Sequence, residues 1–168
     1  MKNLIATAGT TLAIFLFAVC LSTHAEVHLP AIFSDGMVMQ QQTHANLWGT
    51  ATPNKKVTVR TSWDGKLYAV TADKQGAWKL AVSTPEAGGP YTVTFDDGTP
   101  KVLSNILIGE LWLCSGQSNM EMPMKGFKNQ PVENANMDIL RSRNPKIRLF
   151  TVKRTSTFTP QNDVTGSW

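Results

Sequence analysis

A serine lies just beyond the apolar run Ile106 to Cys114, which reads ILIGELWLC. An almost continuously apolar run of this length is typical of a strand buried on both faces. The residues that follow, Ser115 to Asn119, are small, polar and turn-forming. Ligands of open α/β sheets bind beyond the carboxyl ends of the strands, so we expect Ser118 to face such a crevice. If a helical turn begins there, its free N–H groups can stabilise a developing oxyanion.

The same residues have a purely structural interpretation. Gly116 allows a close backbone approach before Ser118, but Gly-Gln-Ser-Asn is also a common turn composition. A serine at the start of a helix often does no more than cap it. From residue types alone, Ser118 is therefore either a nucleophile or a capping residue.

The residues around Ser118 resemble one known family of hydrolases. The stretch Gly109 to Met124 (GELWLCSGQSNMEMPM) is similar to the signature of the sialate O-acetylesterase family, a branch of the SGNH hydrolases. Within it, Gly116 to Met120 matches the family's nucleophile block residue for residue. Leu29 to Gln40 (LPAIFSDGMVMQ) and Leu47 to Gly49 resemble the family's opening segment.

The resemblance implies a serine hydrolase that removes O-acetyl groups from sialic acids or related glycans, with no metal or other cofactor. Ser118 corresponds to the nucleophile, and its backbone N–H corresponds to one donor of the oxyanion hole. Gly116, Gln117 and Asn119 correspond to the residues that support the motif. Such a reaction needs a histidine that accepts the serine proton and usually an acid that orients this histidine.

The family's acid and histidine come from an Asp-x-x-His block far downstream of the serine, and this sequence contains no match to that block. His28 and His44 both precede Ser118, and we expect them to be ordinary surface or strand-end histidines. We therefore expect the chain to be the N-terminal portion of a longer enzyme, without activity of its own.

The elements around the serine predict a mixed fold. Short strands separated by turn residues indicate an antiparallel β-sandwich over residues 26–105. In residues 106–168, a strand, a polar turn, a helix and a second strand predict the start of an α/β sheet, with the apolar run as its first strand. The family resemblance implies that this is the start of an SGNH-type α/β domain, incomplete in this chain. The strands predicted in the sandwich are Lys56–Thr61, Leu67–Thr71, Ala77–Val82, Tyr91–Phe95 and Lys101–Leu103, and the later elements are a helix at Asn134–Arg141 and a strand at Ile147–Val152.

Other reactive side chains receive structural interpretations. Glu110 interrupts the apolar run, so we expect a buried hydrogen-bond partner rather than a role as an acid in the site. Cys114 is expected to be a buried, inert thiol. Met120, Met122 and Met124 either fill a core or line the mouth of a substrate site.

A basic stretch extends from Arg141 to Arg154 without an acidic residue. We expect it to form a solvated face, although an arginine there would also suit the carboxylate of a sialic acid.

Composition limits the possible classes of function. Of the 168 residues, 42% are hydrophobic and 17% are charged, which excludes a disordered or coiled-coil chain. Beyond residue 25 the chain has 15 basic and 12 acidic residues, and this net charge of +3 is too weak to predict binding to nucleic acid or to an anionic membrane. The expected partner is an O-acetylated sugar or glycan. A non-catalytic β-sandwich module that binds a glycan or mediates contacts is the alternative.

Residues 1–25 resemble a signal peptide. Lys2 precedes a compact apolar run, Leu12 to Leu21, and Thr23 and Ala25 occupy the small-residue positions that signal peptidase recognises. The apolar run is short for a membrane span, and no second hydrophobic segment follows. We therefore expect an exported protein, periplasmic or secreted, without a stable membrane span.

We predict cleavage after Ala25. Mass spectrometry of the intact exported protein should then show Glu26 as the first residue. A mature protein that retains Met1 to Ala25 would contradict the prediction.

Overall fold

The computed structural model describes residues 26–168, so the predicted signal peptide lies outside the described residues. Most of the regular structure precedes residue 110, and this part is mostly β-strand, as the sequence predicts. We call residues 26–109 the β unit. Its strands are β1 (Val38–Gln40), β2 (His44–Thr50), β3 (Lys56–Thr61), β4 (Leu67–Thr71), β5 (Ala77–Ser83), β6 (Gly88–Asp96) and β7 (Pro100–Gly109).

These strands form a five-stranded sheet in the order β1-β7-β6-β3-β4 and a two-stranded sheet of β2 and β5. The pairing of β1 with β7 is parallel, with Val38 opposite Leu107, whereas the other pairings in the two sheets are antiparallel. Buried side chains from both sheets, including Leu47 and Phe95, belong to one hydrophobic core. The sandwich arrangement itself stays a prediction.

In the strands that the sequence predicts well, side chains alternate between buried and exposed positions. In β3, Val57, Val59 and Thr61 are buried, whereas Lys56 and Arg60 are exposed. This period of two matches a strand with one face on a core. The observed bounds of β3 and β4 equal the predicted bounds, and β5, β6 and β7 contain the other three predicted strands.

The turn between β3 and β4 is fixed by Asp64. Its carboxylate accepts hydrogen bonds from Thr61 Oγ1 and from the Lys66 N–H, and it lies 3.5 Å from Lys66 Nζ. Burial raises the pKa of Asp64, but the hydrogen bonds from Thr61 and Lys66 and the Lys66 charge outweigh this effect, so the pKa lies below its usual value of 3.8. The ionised carboxylate therefore stabilises the folded state.

The end of β7 differs from the prediction for the apolar run. A single strand extends from Pro100 to Gly109, and residues 110–117 are outside any strand. Ile106 and Ile108 are buried in the core of the β unit, whereas Trp112 and Leu113 are 81% and 94% exposed. The prediction of one strand from Ile106 to Cys114 was therefore wrong. The division into residues 26–105 and 106–168 stays a prediction, but β7 crosses that boundary.

Regular structure is sparse after β7. Ser118–Glu121 forms a 3-10 turn, β8 (Gly126–Phe127) pairs with β9 (Gln130–Pro131), and α1 spans Ala135–Arg141. Helix α1 confirms the predicted helix. The strand predicted at Ile147–Val152 was wrong, because this segment pairs with no other strand within the described residues. Along residues 26–168, the helices lack the length and the apolar character that a membrane crossing requires.

We predict that the β unit requires all of β7. A polypeptide of residues 26–105 should be less stable to urea than one of residues 26–111 by roughly 3–6 kcal/mol, because it lacks the buried side chains of Ile106 and Ile108. Equal unfolding midpoints for the two polypeptides would contradict this assignment.

We also predict a pH dependence from Asp64. At pH 7, Asp64→Asn should lower the free energy of unfolding by about 1 kcal/mol, because the charged acceptor is lost. A depressed folded-state pKa gives stability that is present above the unfolded pKa and is lost as the pH falls towards the folded pKa. The difference between the variant and the parent should therefore shrink below pH 3.8. Glu133→Gln is the control, since Glu133 is exposed and unpaired within residues 26–168, and an equal pH dependence for both variants would contradict the prediction.

Candidate functional site

Ser118 opens the 3-10 turn and is exposed. The turn is closed by the Met120 N–H, which donates to the Gln117 carbonyl over 3.0 Å. Gln117 occupies the capping position, and no side chain caps the turn. Across residues 26–168, the Ser118 hydroxyl makes no hydrogen bond, so it does not act as the capping group that the sequence left open.

The backbone N–H of Ser118 is also free of acceptors among the residues that the structure describes. It lies in the first turn of the 3-10 element, where N–H groups lack partners inside the helix. The described turn therefore presents both a hydroxyl and an N–H donor from the same residue. These are the two groups that an acyl-transfer reaction requires of its nucleophilic serine.

The other residues of the predicted motif lie in or beside this turn. A Cβ atom added to Gly116 would lie 2.8 Å from Met120 Cγ, so the Met120 side chain packs closely against this glycine. The Asn119 carbonyl accepts a hydrogen bond from the Met122 N–H over 3.4 Å. Gly116, Gln117 and Asn119 are all exposed, and their supporting roles stay predictions.

His28 and His44 form contacts elsewhere. His28 pairs with Thr50 through two backbone hydrogen bonds of 2.8 and 2.9 Å. His44 begins β2, and its Nδ1 atom lies 3.2 Å from Ser83 Oγ on β5. Neither histidine forms a hydrogen bond with Ser118. His28 and His44 are both exposed, and His44 begins a strand, so they are surface or strand-end histidines as expected. They supply no general base to the serine in this structure.

Glu110 is exposed, whereas the sequence predicts a buried position. Its carboxylate accepts a hydrogen bond of 2.6 Å from Gln41 Nε2 and another of 3.3 Å from Gln40 Nε2. The bond from Gln41, together with the weaker bond from Gln40, lowers the pKa of Glu110 below its usual value. The predicted hydrogen-bonding role is confirmed, but the burial is wrong because β7 ends at Gly109.

Cys114 and the three methionines are exposed as well. The prediction of a buried thiol at Cys114 was wrong, since the apolar run leaves the β unit before this residue. Met120, Met122 and Met124 are 52%, 37% and 57% exposed, so within the described chain they do not fill a core.

The basic stretch contains two arginines with specific partners. Arg154 forms an ion pair with Glu121, a residue of the serine turn. Arg148 is half-buried and donates hydrogen bonds to Gly36 and Asn105 of the β unit. Both contacts join positions at least 33 residues apart, so no local pattern in the sequence indicates them. In the structure, exposure alternates from Ile147 to Phe150, with Arg148 and Phe150 as the less exposed residues.

No family model matches this chain. Curated relatives do match it. A sialate O-acetylesterase of Mus musculus is 32% identical over 127 residues, which cover 69% of this chain and 23% of that protein. A sialate O-acetylesterase of Rattus norvegicus is 30% identical over 146 residues, which cover 79% of this chain and 26% of that protein. The chain thus spans about a quarter of the length of the curated relatives it matches.

A solved structure is similar as well. The crystal structure of a carbohydrate acetylesterase from Xanthomonas citri superimposes with a TM-score of 0.76 and 31% sequence identity, covering 85% of this chain and 32% of that chain. The likeness extends over most of the described residues, including the mostly β fold. Together with the sialate O-acetylesterases, it confirms the resemblance found in the sequence. The chain belongs to a sialate O-acetylesterase-like family.

Proposed function

We propose that this chain carries the nucleophile of an exported carbohydrate O-acetylesterase and that Ser118 is this nucleophile. The observation that carries the proposal is the exposed turn in which both the Ser118 hydroxyl and the Ser118 N–H are free of partners within the described residues. The match of Gly116 to Met120 to the family's nucleophile block supports the choice of this serine. The names of the relatives support acetyl esters as the substrates.

The proposed reaction is acyl transfer in two steps. Ser118 Oγ attacks the carbonyl carbon of the acetyl group while a histidine accepts the hydroxyl proton. The carbonyl oxygen becomes negatively charged, and the Ser118 N–H donates a hydrogen bond to it. The bond between the acetyl carbonyl carbon and the sugar oxygen then breaks, and the sugar oxygen takes the proton from the histidine as it leaves. Water attacks the acetyl-serine in the same way and releases acetate and the free serine.

We propose that the general base is neither His28 nor His44. His28 pairs with the Thr50 backbone, and the His44 ring lies beside the Ser83 hydroxyl on β5. In the family that this chain resembles, the acid and the histidine come from an Asp-x-x-His block. The curated relatives are about four times as long as their matched part, so most of their length lies outside the match. The proposal therefore places the base in a part of the protein that this chain does not span.

The proposed substrate is an O-acetylated sialic acid or a related glycan. This choice is supported by the name sialate O-acetylesterase of the mammalian relatives and by the name carbohydrate acetylesterase of the Xanthomonas citri protein. Export to the periplasm or the cell exterior, where such glycans are accessible, is supported by the signal-peptide pattern of residues 1–25.

We predict that Ser118→Ala abolishes the reaction. In the protein isolated from its host, this variant should release acetate from an O-acetylated sialoglycan about 10³-fold more slowly or worse, with an unchanged circular dichroism spectrum. Ser115→Ala is the matched control, because Ser115 is an exposed serine beside the same turn, and it should keep near-normal turnover.

Two outcomes would contradict the assignment. Near-normal turnover by Ser118→Ala would exclude this serine as the nucleophile. Glycan binding without any acetate release by the parent protein would favour the non-catalytic glycan-binding module instead.

A third measurement tests the source of the base: residues 26–168 alone should hydrolyse p-nitrophenyl acetate no faster than their Ser118→Ala version. Turnover by residues 26–168 that depends on Ser118 would point to His28 or His44 as the base.

A further inference from the structure

We propose that Arg148 is a positioning residue, which anchors the serine-bearing segment, residues 110–147, to the β1–β7 edge of the five-stranded sheet. The inference rests on the proposed role of Ser118 and extends it to the β unit. Under this proposal the β unit holds the nucleophile in place, and it does so through an arginine that lies thirty residues further along the chain than Ser118.

The guanidinium group of Arg148 makes three hydrogen bonds to the β unit. Its Nη1 atom donates to the Gly36 carbonyl over 2.7 Å and to the Asn105 carbonyl over 2.6 Å. Its Nη2 atom donates to the Asn105 side-chain Oδ1 over 2.9 Å. The planar fork of an arginine can reach several acceptors at once, whereas a lysine offers a single nitrogen.

These acceptors are available because of the local backbone. The parallel pairing of β1 and β7 begins with Val38 opposite Leu107, so Gly36 and Asn105 lie just before it on both strands. Both residues have a left-handed backbone, with φ of +82° and +57°. A residue with this conformation turns its peptide groups away from a regular ladder. Arg148 therefore donates hydrogen bonds to two backbone carbonyls just before the β1–β7 pairing begins.

The surface that receives Arg148 is held together without it. The Gly36 N–H donates to the Ser104 carbonyl over 3.1 Å, and the Leu107 N–H donates to the Met37 carbonyl over 3.0 Å. Asp35 accepts hydrogen bonds from the Ser104 N–H and hydroxyl over 2.6 and 3.0 Å. Loss of Arg148 should thus release the segment and leave the β unit folded.

The other end of the serine-bearing segment is anchored to the same two strands. Gln40, the last residue of β1, accepts a hydrogen bond from the Leu111 N–H over 2.9 Å through its Oε1 atom, and Gln40 and Gln41 both donate to Glu110. Between this anchor and the serine turn, residues 112–116 form no hydrogen bond within the described chain. The segment is thus held at both ends, while the stretch next to Ser118 has no support of its own.

The serine turn has one further link to the chain that follows Arg148. Glu121 lies in the turn, and Arg154 pairs with it. Both side chains are more than half exposed, so this contact adds little by itself. The chain after Arg148 has contacts of its own with the β unit, because Trp168 Nε1 donates to the Ile32 carbonyl and Asp163 accepts from the Ala31 N–H. Arg148 is the nearest of these anchors to the serine-bearing segment, so its removal should affect the end of that segment first.

Three variants test the proposal in the protein isolated from its host. Arg148→Met removes all donors and keeps much of the side-chain length, and Arg148→Lys keeps the charge and one donor group. Arg143→Met is the matched control, because Arg143 is an exposed arginine of the same basic stretch and makes no hydrogen bond or ion pair within residues 26–168. Amide hydrogen exchange, read by mass spectrometry, reports the local order of each segment independently of activity.

We expect exchange of the amides of residues 120–138, where the Met120, Gly126 and Met137 N–H groups are hydrogen-bonded, to be at least about fivefold faster in Arg148→Met and intermediate in Arg148→Lys. Exchange of these amides should be unchanged in Arg143→Met, and exchange of β3 and β6 should be unchanged in all three variants. If the parent protein shows turnover that depends on Ser118, kcat of Arg148→Met should fall about tenfold or more, with KM nearly constant, because a misplaced nucleophile affects the chemical step. Partial recovery of kcat in Arg148→Lys is also expected.

Unchanged exchange of residues 120–138 in Arg148→Met would overturn the proposal. Equally faster exchange in β3 and β6 would overturn it too, because Arg148 would then stabilise the whole β unit. A parent protein without Ser118-dependent turnover would refute the proposed function, and the exchange measurement would still decide whether Arg148 anchors the segment.

Discussion

The parallel pairing of β1 with β7 is the contact on which the candidate site depends. It places Gly36 to Gln41 beside Asn105 to Leu111, although about seventy residues of the chain separate the two stretches. The chain between them forms the rest of both sheets, which is the long connection that parallel strands require. At one end of this pairing, Arg148 binds two carbonyls, and at the other end, Gln40 and Gln41 bind the chain that leaves β7. The serine-bearing segment therefore begins and ends at a single edge of the sheet.

Local patterns in the sequence predicted the elements whose side chains face one core. The alternation of KVTVRT gave the bounds of β3. The helix predicted at Asn134–Arg141 is present as Ala135–Arg141, although Met137 and Leu140, on which the prediction rested, are exposed. The same kind of reasoning failed for Ile106 to Cys114. Its first residues are apolar because they fill the core of the β unit, and its last residues are apolar without being buried by the described chain. A continuous apolar pattern does not show where the buried part of the run ends and the exposed part begins.

In the candidate site, too, a motif of adjacent residues was found from the sequence, whereas contacts between residues far apart in the chain were not. The Gly-Gln-Ser-Asn-Met block identified Ser118 because a family motif is contiguous in the sequence. The partners of Glu110 and Arg148 were not predicted, because each contact joins residues that only the folded topology brings together. The exposure of Cys114 was missed for a related reason, since burial depends on which neighbours are present. The proposed nucleophile could thus be predicted from the sequence, whereas the proposed positioning residue, Arg148, could not.

Covalent labelling is the direct test of whether Ser118 is the nucleophile, as we propose. An organophosphonate reacts with a serine whose hydroxyl is activated and whose oxyanion site is formed, and it leaves a stable adduct on that residue. The protein isolated from its host should be treated with the reagent, digested, and mapped by mass spectrometry. We expect an adduct on Ser118 and loss of acetylesterase turnover in proportion to its formation. An adduct on a different serine, with turnover lost in parallel, would show that Ser118 is not the nucleophile.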